Sequence, residues 1–310
     1  MSKYLVLKGV EGLGDRLQCL LQAIGYCHVT GRTLVIDWRD SSWYHGPDNN
    51  VKNYFDIDIV NSMCIETFMN DEFDSDMSVY PSIWRDRLND KNYEKYIYNK
   101  KYSLPAGNDI LYKMVKRHDF IEDIIVYSGT GNRKWNWAYT KNVKFVDNIV
   151  NLAIDSLTEQ TVDINSKYIG VHMRGGTKTW LGGKYSLPKP QQSANIKYPT
   201  LISYIRYLQY ELAKLSSYQH MPIVVLSDSN VLVDTWCEYN TDLNNVCIPT
   251  HNKARGNTGI HKLSSDKMIG YTKHDTNVES IRDFYILSRA HKVVCDGMSM
   301  FSNVASKWSV

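Results

Sequence analysis

The chain has 310 residues, 43% of them hydrophobic and 22% charged, with a net charge of +3. That length predicts two domains of ordinary size, and the composition predicts a packed globular core and excludes a disordered chain. The charge is too balanced to point to a nucleic acid partner, and no apolar stretch approaches the ~20 residues of a membrane span.

Six cysteines, at 19, 27, 64, 237, 247 and 295, form no CxxC pair. All but Cys64 sit in or beside apolar segments, where a free thiol behaves as a small hydrophobe. No zinc site and no disulfide framework is expected, and the expected location is cytoplasmic.

In chain order, YLVLK (4–8) reads as a buried strand rather than a leader, and GVEGLGD (9–15) as a tight loop. A helix follows, with Leu17, Leu20, Leu21 and Ile24 on one face, ending at Gly31. TLVID (33–37) is the next strand. Strand, glycine loop, helix and strand make a βαβ unit that opens a parallel sheet. Residues 38–141 have weak periodicity apart from a strand over 120–127, and long loops are expected there. Helical spacing returns over 142–157, and the polar stretch 158–166 marks the boundary between a domain at 1–160 and another at 161–310.

The second half alternates cleanly. Strands are expected at 168–173, 223–227, 246–248 and 292–296, and helices at 199–215, 230–239, 277–290 and 301–308. This is a second parallel α/β domain.

Four segments carry chemistry. GLGDR (12–16) places two glycines between a strand and a helix, where backbone approaches a ligand closely. Residue 17 is Leu, so the dinucleotide fingerprint G-x-G-x-x-G is incomplete. In VHMRGG (171–176), His172 and Arg174 share a strand face and meet a ligand crevice at the strand's carboxyl end. The guanidinium fork of Arg174 suits phosphate oxygens, or a plain salt bridge. Asp228 ends the strand before LSDS (226–229) closes, and either accepts from a ribose or base edge or caps the next helix. In VCDGMSMFSNVASKW (294–308), Ser299 and Ser302 lie where backbone amides and a helix start converge, as an anion site or a capping pair. Taken together, these strand ends predict a nucleotide diphosphate held by the second domain, with the first supplying the acceptor side. The Asp-x-Asp pairs at 56–58 and 74–76 end none of the strands expected here, and no His/Cys cluster is expected to hold a metal.

The same residues resemble a known family. The segment 12–43 is similar to the N-terminal motif of the rhizobial nodulation fucosyltransferases, and IGVHMRGG (169–176) to the His-x-Arg motif of α1,6- and protein O-fucosyltransferases. SDS (227–229), TGIHKL (258–263) and the run 277–308 resemble the later motifs of that group. The likeness covers both ends and most of the second half and is vague over 44–141. It implies a GT-B-like fold: two Rossmann-like domains with parallel sheets facing across a cleft. It implies an inverting, metal-independent glycosyltransferase moving fucose from GDP-fucose to a glycan hydroxyl, with no cofactor beyond the donor. Carried over by motif, Arg174 binds the β-phosphate and glycosidic oxygen, His172 lines the donor pocket, and Asp228 faces the nucleoside. Ser299, Met300, Phe301 and Ser302 form the diphosphate loop, while Gly14, Asp15 and Arg16 reach the cleft from the other side. Two alternatives share these features: transfer of another nucleotide-activated sugar, and a catalytically silent nucleotide- or glycan-binding protein.

The chain departs from the group in three places. Asp15 stands where relatives commonly carry Asn, Gly175 follows Arg174 where the α1,6 enzymes commonly have a second Arg, and residues 175–210 contain no Asp or Glu. The proton acceptor is therefore sought among Asp15, Asp40 and His45, with Asp37 read as structural, or there is no side-chain base and the departing phosphate takes the proton. The glycine- and lysine-rich segment 175–198 reads as a flap over the donor, with Trp180 and Tyr185 near the cleft.

Overall fold

The computed structural model describes residues 2–46, 50–97, 120–128, 137–175, 201–215, 220–248, 268, 270–297 and 299–308. The flap segment beyond Gly175 and the motif at 258–263 lie outside the described residues. The chain forms two compact units, Met1–Val146 with Trp308–Val310, and Asp147–Lys307.

The first unit is built on a parallel sheet. Strands β1 (Tyr4–Lys8), β2 (Thr33–Asp37), β4 (Ser62–Cys64), β5 (Val79–Tyr80) and β6 (Ile124–Ser128) lie in the order β4-β2-β1-β6-β5. Leu5 pairs with Leu34 and Ile125, so β1 is flanked on both sides and wholly buried. That explains its continuous apolar run. A two-stranded antiparallel ribbon, β3 (Phe55–Ile57) with β7 (Val143–Phe145), completes the unit.

Helix α1 (Leu13–Thr30) forms as its spacing predicts and stops at Gly31, whose φ of 72° is left-handed and whose N–H returns to the Cys27 carbonyl. It is buried beyond one face: Leu13, Gly14 and everything from Arg16 to Cys27 are covered. A turn over Trp137–Asn142 packs on it, and Tyr139 meets the His28 ring edge-on, 5.8 Å between centroids. Arg32, just after the helix, is buried and donates to the carbonyls of Tyr4, Phe120, Glu122 and Asp123, anchoring the approach to β6.

The second unit carries the parallel sheet β10-β9-β8-β11, from β8 (Ile169–Met173), β9 (Ile223–Ser227), β10 (Asn245–Cys247) and β11 (Lys292–Val294). Its helices are α2 (Asp147–Thr158), α3 (Leu201–Ala213), α4 (Asn230–Tyr239), α5 (Lys273–Arg289) and α6 (Met300–Ala305). One face of the sheet packs on Tyr204, Ile205, Leu208, Leu232 and Trp236. Because α2 packs on α5, the division between units falls ahead of α2, not in the polar stretch 158–166 behind it. Helix α5 comes close to β8 at Gly170, where a Cβ would lie 2.7 Å from Leu287 Cδ1. A capping box between Thr272 and Asp275 starts α5.

Candidate functional site

The second unit brings its predicted residues together at the carboxyl ends of β8 and β9. His172 is buried, its Nδ1 2.6 Å from the Ser302 Oγ, and its ring stacks on Phe301 with centroids 4.9 Å apart. Phe284 of α5 braces Phe301 edge-on at 5.4 Å. Burial, and then the positive charge of Arg174, push the His172 pKa down to about 3. The ring is neutral at neutral pH and held by the serine.

That shift makes a prediction. The unfolded chain protonates His172 near pH 6.5, while the folded chain refuses the proton until about pH 3. As pH falls through that window, this residue removes stability with a slope approaching 1.4 kcal/mol per pH unit. His172→Gln keeps a partner for Ser302 and removes the titration. Chemical unfolding at several pH values between 6.5 and 4.5 should therefore show a shallower acid loss in the variant. Parallel curves would refute the assignment.

Asp228 joins the two strand ends: its Oδ1 accepts the Gly175 N–H at 2.5 Å. The capping alternative is not what the carboxylate does here, since Ser229 occupies the N-cap position of α4 without a side-chain cap bond. Burial raises the Asp228 pKa, opposed by the Arg174 charge and the Gly175 amide. The Arg174 N–H donates to the Tyr204 hydroxyl at 3.3 Å. Arg174 thus sits between a neutral imidazole and an aspartate, and its charge acts on both.

The serine loop divides its labour. Ser302 is spent on His172, whereas the Ser299 hydroxyl is buried and has no hydrogen-bond partner among the described residues. The Ser299 N–H reaches Asp296 Oδ1 at 3.3 Å. Helix α6 has six residues, so its dipole is small and any anion held there depends on individual donors.

Asp283, which sequence reasoning missed, lies in the same neighbourhood. Burial pushes its carboxyl up to about 6 against the Arg282 charge, with Glu279 and Asp228 adding to the rise. Arg282 Nη2 donates to it at 2.7 Å. The available signal was a run of polar residues, Asn277, Glu279 and Arg282, on positions of α5 that the structure buries.

The first unit corrects two expectations. Arg16, expected to reach a ligand, is fully buried: its Nε donates to the Glu11 carbonyl at 3.0 Å and its Nη2 to Asp40 Oδ2 at 2.5 Å. Its guanidinium lies over the Trp38 and Trp43 rings at 5.5 and 5.2 Å. It clasps the loop after β1, where Glu11 holds a left-handed φ of 63°. Asp40, expected to be an accessible loop carboxylate, is buried in that ion pair, and burial pushes its pKa up to about 6 despite Arg16. Gly14 is buried in the first turn of α1, and Asp15 beside it is partly exposed. His45 Nε2 lies 3.0 Å from the Tyr54 hydroxyl.

Asp37 is structural as expected. It is buried between Lys8 Nζ at 2.6 Å and the Arg39 guanidinium at 2.9 Å. Tyr93 closes the group by donating to the carbonyls of Gly9 and Asp37. Among the described residues no group of three or more His, Cys, Asp or Glu is placed to hold a metal ion, and no helix is long and apolar enough to cross a membrane.

Comparison with known proteins follows the same lines. Residues 2–307 match the family described as Nodulation protein Z (NodZ). No curated protein matches the sequence. The crystal structure of NodZ alpha-1,6-fucosyltransferase soaked with GDP-fucose is similar, with a TM-score of 0.68 at 18% identity, covering 99% of this chain and 93% of that one. Fucosyltransferase NodZ from Bradyrhizobium gives 0.66 at 18% identity, over 98% and 92% of the two chains. POFUT1 in complex with GDP gives 0.55 at 12%, over 99% and 94%. The fold is GT-B-like, with two Rossmann-like units on parallel sheets.

Proposed function

This chain belongs to the Nodulation protein Z (NodZ) family, and from that premise we propose that it is a fucosyltransferase that moves fucose from GDP-fucose to a glycan hydroxyl, inverting the anomeric carbon without a metal. The observation that carries the reading is the joined strand end. Gly175 bonded to Asp228, and His172 bonded to Ser302 and stacked on Phe301, set a neutral ring and an arginine beside the serine loop. Related folds bearing GDP-fucose or GDP support the donor.

In the reaction the bond from the anomeric carbon to the β-phosphate oxygen breaks. The acceptor oxygen bonds the opposite face of that carbon, and its proton leaves with the phosphate. Negative charge grows on the leaving GDP, where Arg174 stabilises it in place of a metal.

The test is a transfer assay with GDP-fucose and a glycan pool, in buffer and in EDTA, with the product's anomeric configuration read by NMR. Equal rates and an inverted product are expected. Loss of activity in EDTA that Mg²⁺ or Mn²⁺ restores overturns metal independence, and a retained configuration overturns inversion.

The proton route is proposed to need no side-chain base. Asp40 is committed to Arg16 and is a poor candidate. Asp15→Asn and His45→Gln should each change turnover by less than about tenfold. A drop of about 10³-fold at either, with donor binding unchanged, would identify a general base.

A further inference from the structure

Cys237 and Cys247 sit in or beside apolar segments, yet their sulfurs lie 3.2 Å apart. That is closer than the ordinary nonbonded heavy-atom contact of about 3.5–4.0 Å. The two residues stand ten apart in sequence, one in the last turn of α4 and one at the end of β10. Both thiols are free and half-buried at the rim of the second unit's core.

The connection between them is already fixed. Trp236 Nε1 donates to Asn245 Oδ1 at 3.0 Å, Asn245 Nδ2 to the Asn240 carbonyl at 2.6 Å, and Asn240 Nδ2 to the Trp236 carbonyl at 2.8 Å. Gln209 of α3 donates to Asn240 Oδ1 at 3.0 Å. On the other side, Cys247 is held in register with Val225 of β9. The sulfurs therefore face each other across a frame that does not depend on their being bonded, and little movement separates them from the ~2.05 Å of a disulfide.

We propose that Cys237 and Cys247 are an oxidation site, forming a reversible disulfide that clamps α4 to the edge strand of the second sheet. The oxidant is a small-molecule disulfide. One cysteine thiolate attacks it, forming a mixed disulfide and releasing one thiolate. The other cysteine, once deprotonated, attacks the protein sulfur, forming the Cys237–Cys247 bond and releasing the second. Two protein thiols are oxidised, one small disulfide is reduced to two thiols, and two protons pass from the cysteines to them. Burial pushes the Cys247 thiol up to about 12. Its thiolate is scarce at neutral pH, so the step that Cys247 makes is slow. Since α4 starts directly after Asp228 and Ser229, the clamp fastens the far end of the helix that leaves the site.

The test incubates the full chain with oxidised glutathione, blocks remaining thiols, and maps peptides without reduction. A Cys237–Cys247 peptide pair two hydrogens lighter than the dithiol is expected. A rise in Tm of about 5 °C should accompany it, as for a short closed loop in a unit of this size, and dithiothreitol should reverse it. Cys237→Ala and Cys247→Ala should each lose the rise. Recovery of both cysteines as blocked thiols or as separate glutathione adducts overturns the proposal, as does pairing of either with another cysteine. A crosslink that leaves Tm unchanged overturns the clamp.

Discussion

Arg174→Ala is expected to lower turnover by about 10²-fold or more, the range for removing one preorganised donor to a developing anion. The argument is positional. Arg174 follows β8 directly, its own N–H is fixed by the Tyr204 hydroxyl, and the next residue is fixed by Asp228. Both neighbouring side chains register its charge, which opposes the burial-driven rise of the Asp228 pKa and, after burial, helps keep His172 neutral. Steady-state kinetics, with circular dichroism to verify folding, would check it. Lysine at this position keeps the charge but loses the fork, so Arg174→Lys should recover only part of the rate. A folded alanine variant with near-normal turnover would remove Arg174 from the chemistry.

Asp37→Ala should destabilise the first unit by about 3–5 kcal/mol, the usual cost of breaking a buried ion pair from one side. The substitution leaves the buried Lys8 with only the Leu88 carbonyl, and the buried Arg39 guanidinium with Asn89 and the partly exposed Glu66 at 3.5 Å. Burial works to raise the Asp37 pKa, yet Lys8 and Arg39 overcome it and hold the carboxyl below its usual range. Lys8 itself is pulled down by burial, and Asp37 opposes that pull. Denaturant unfolding would measure the loss. Replacing the group together, as Lys8→Met, Asp37→Leu and Arg39→Met, should recover much of it, because no charge is then left buried alone. A loss below about 1 kcal/mol in Asp37→Ala would mean that water or another group takes over the carboxylate's part.

The parallel-sheet elements were legible because their periodicity was strong. YLVLK and IVVLS are buried on both faces and carry unbroken apolar runs. Gly31 stops α1 where only a left-handed residue closes the helix without strain. The strand read over 120–127 was found shifted to Ile124–Ser128, since its first part is held by Arg32 rather than by the ladder. The strands β4 (SMC) and β5 (VY) carry no apolar run to mark them, whereas the equally short β10 and β11 stand in the runs VCI and VVC.

At the site, sequence alone determined which strand ends carry His172, Arg174 and Asp228 and which loop carries Ser299 and Ser302, because local spacing puts them after apolar runs. Only tertiary structure decided how those groups are used. Ser302 turns to His172 across a separation of 130 residues. Asp228 ties down Gly175 instead of capping its own helix, and Asp283 is drawn in from α5. Arg16 and Asp40, polar residues that a sequence places in the open, are paired and buried, with the Arg16 guanidinium over two tryptophan rings. The physical reason is that hydrogen bonds and ion pairs between distant segments, and the burial that shifts a pKa, depend on which surfaces meet, and no local period encodes that.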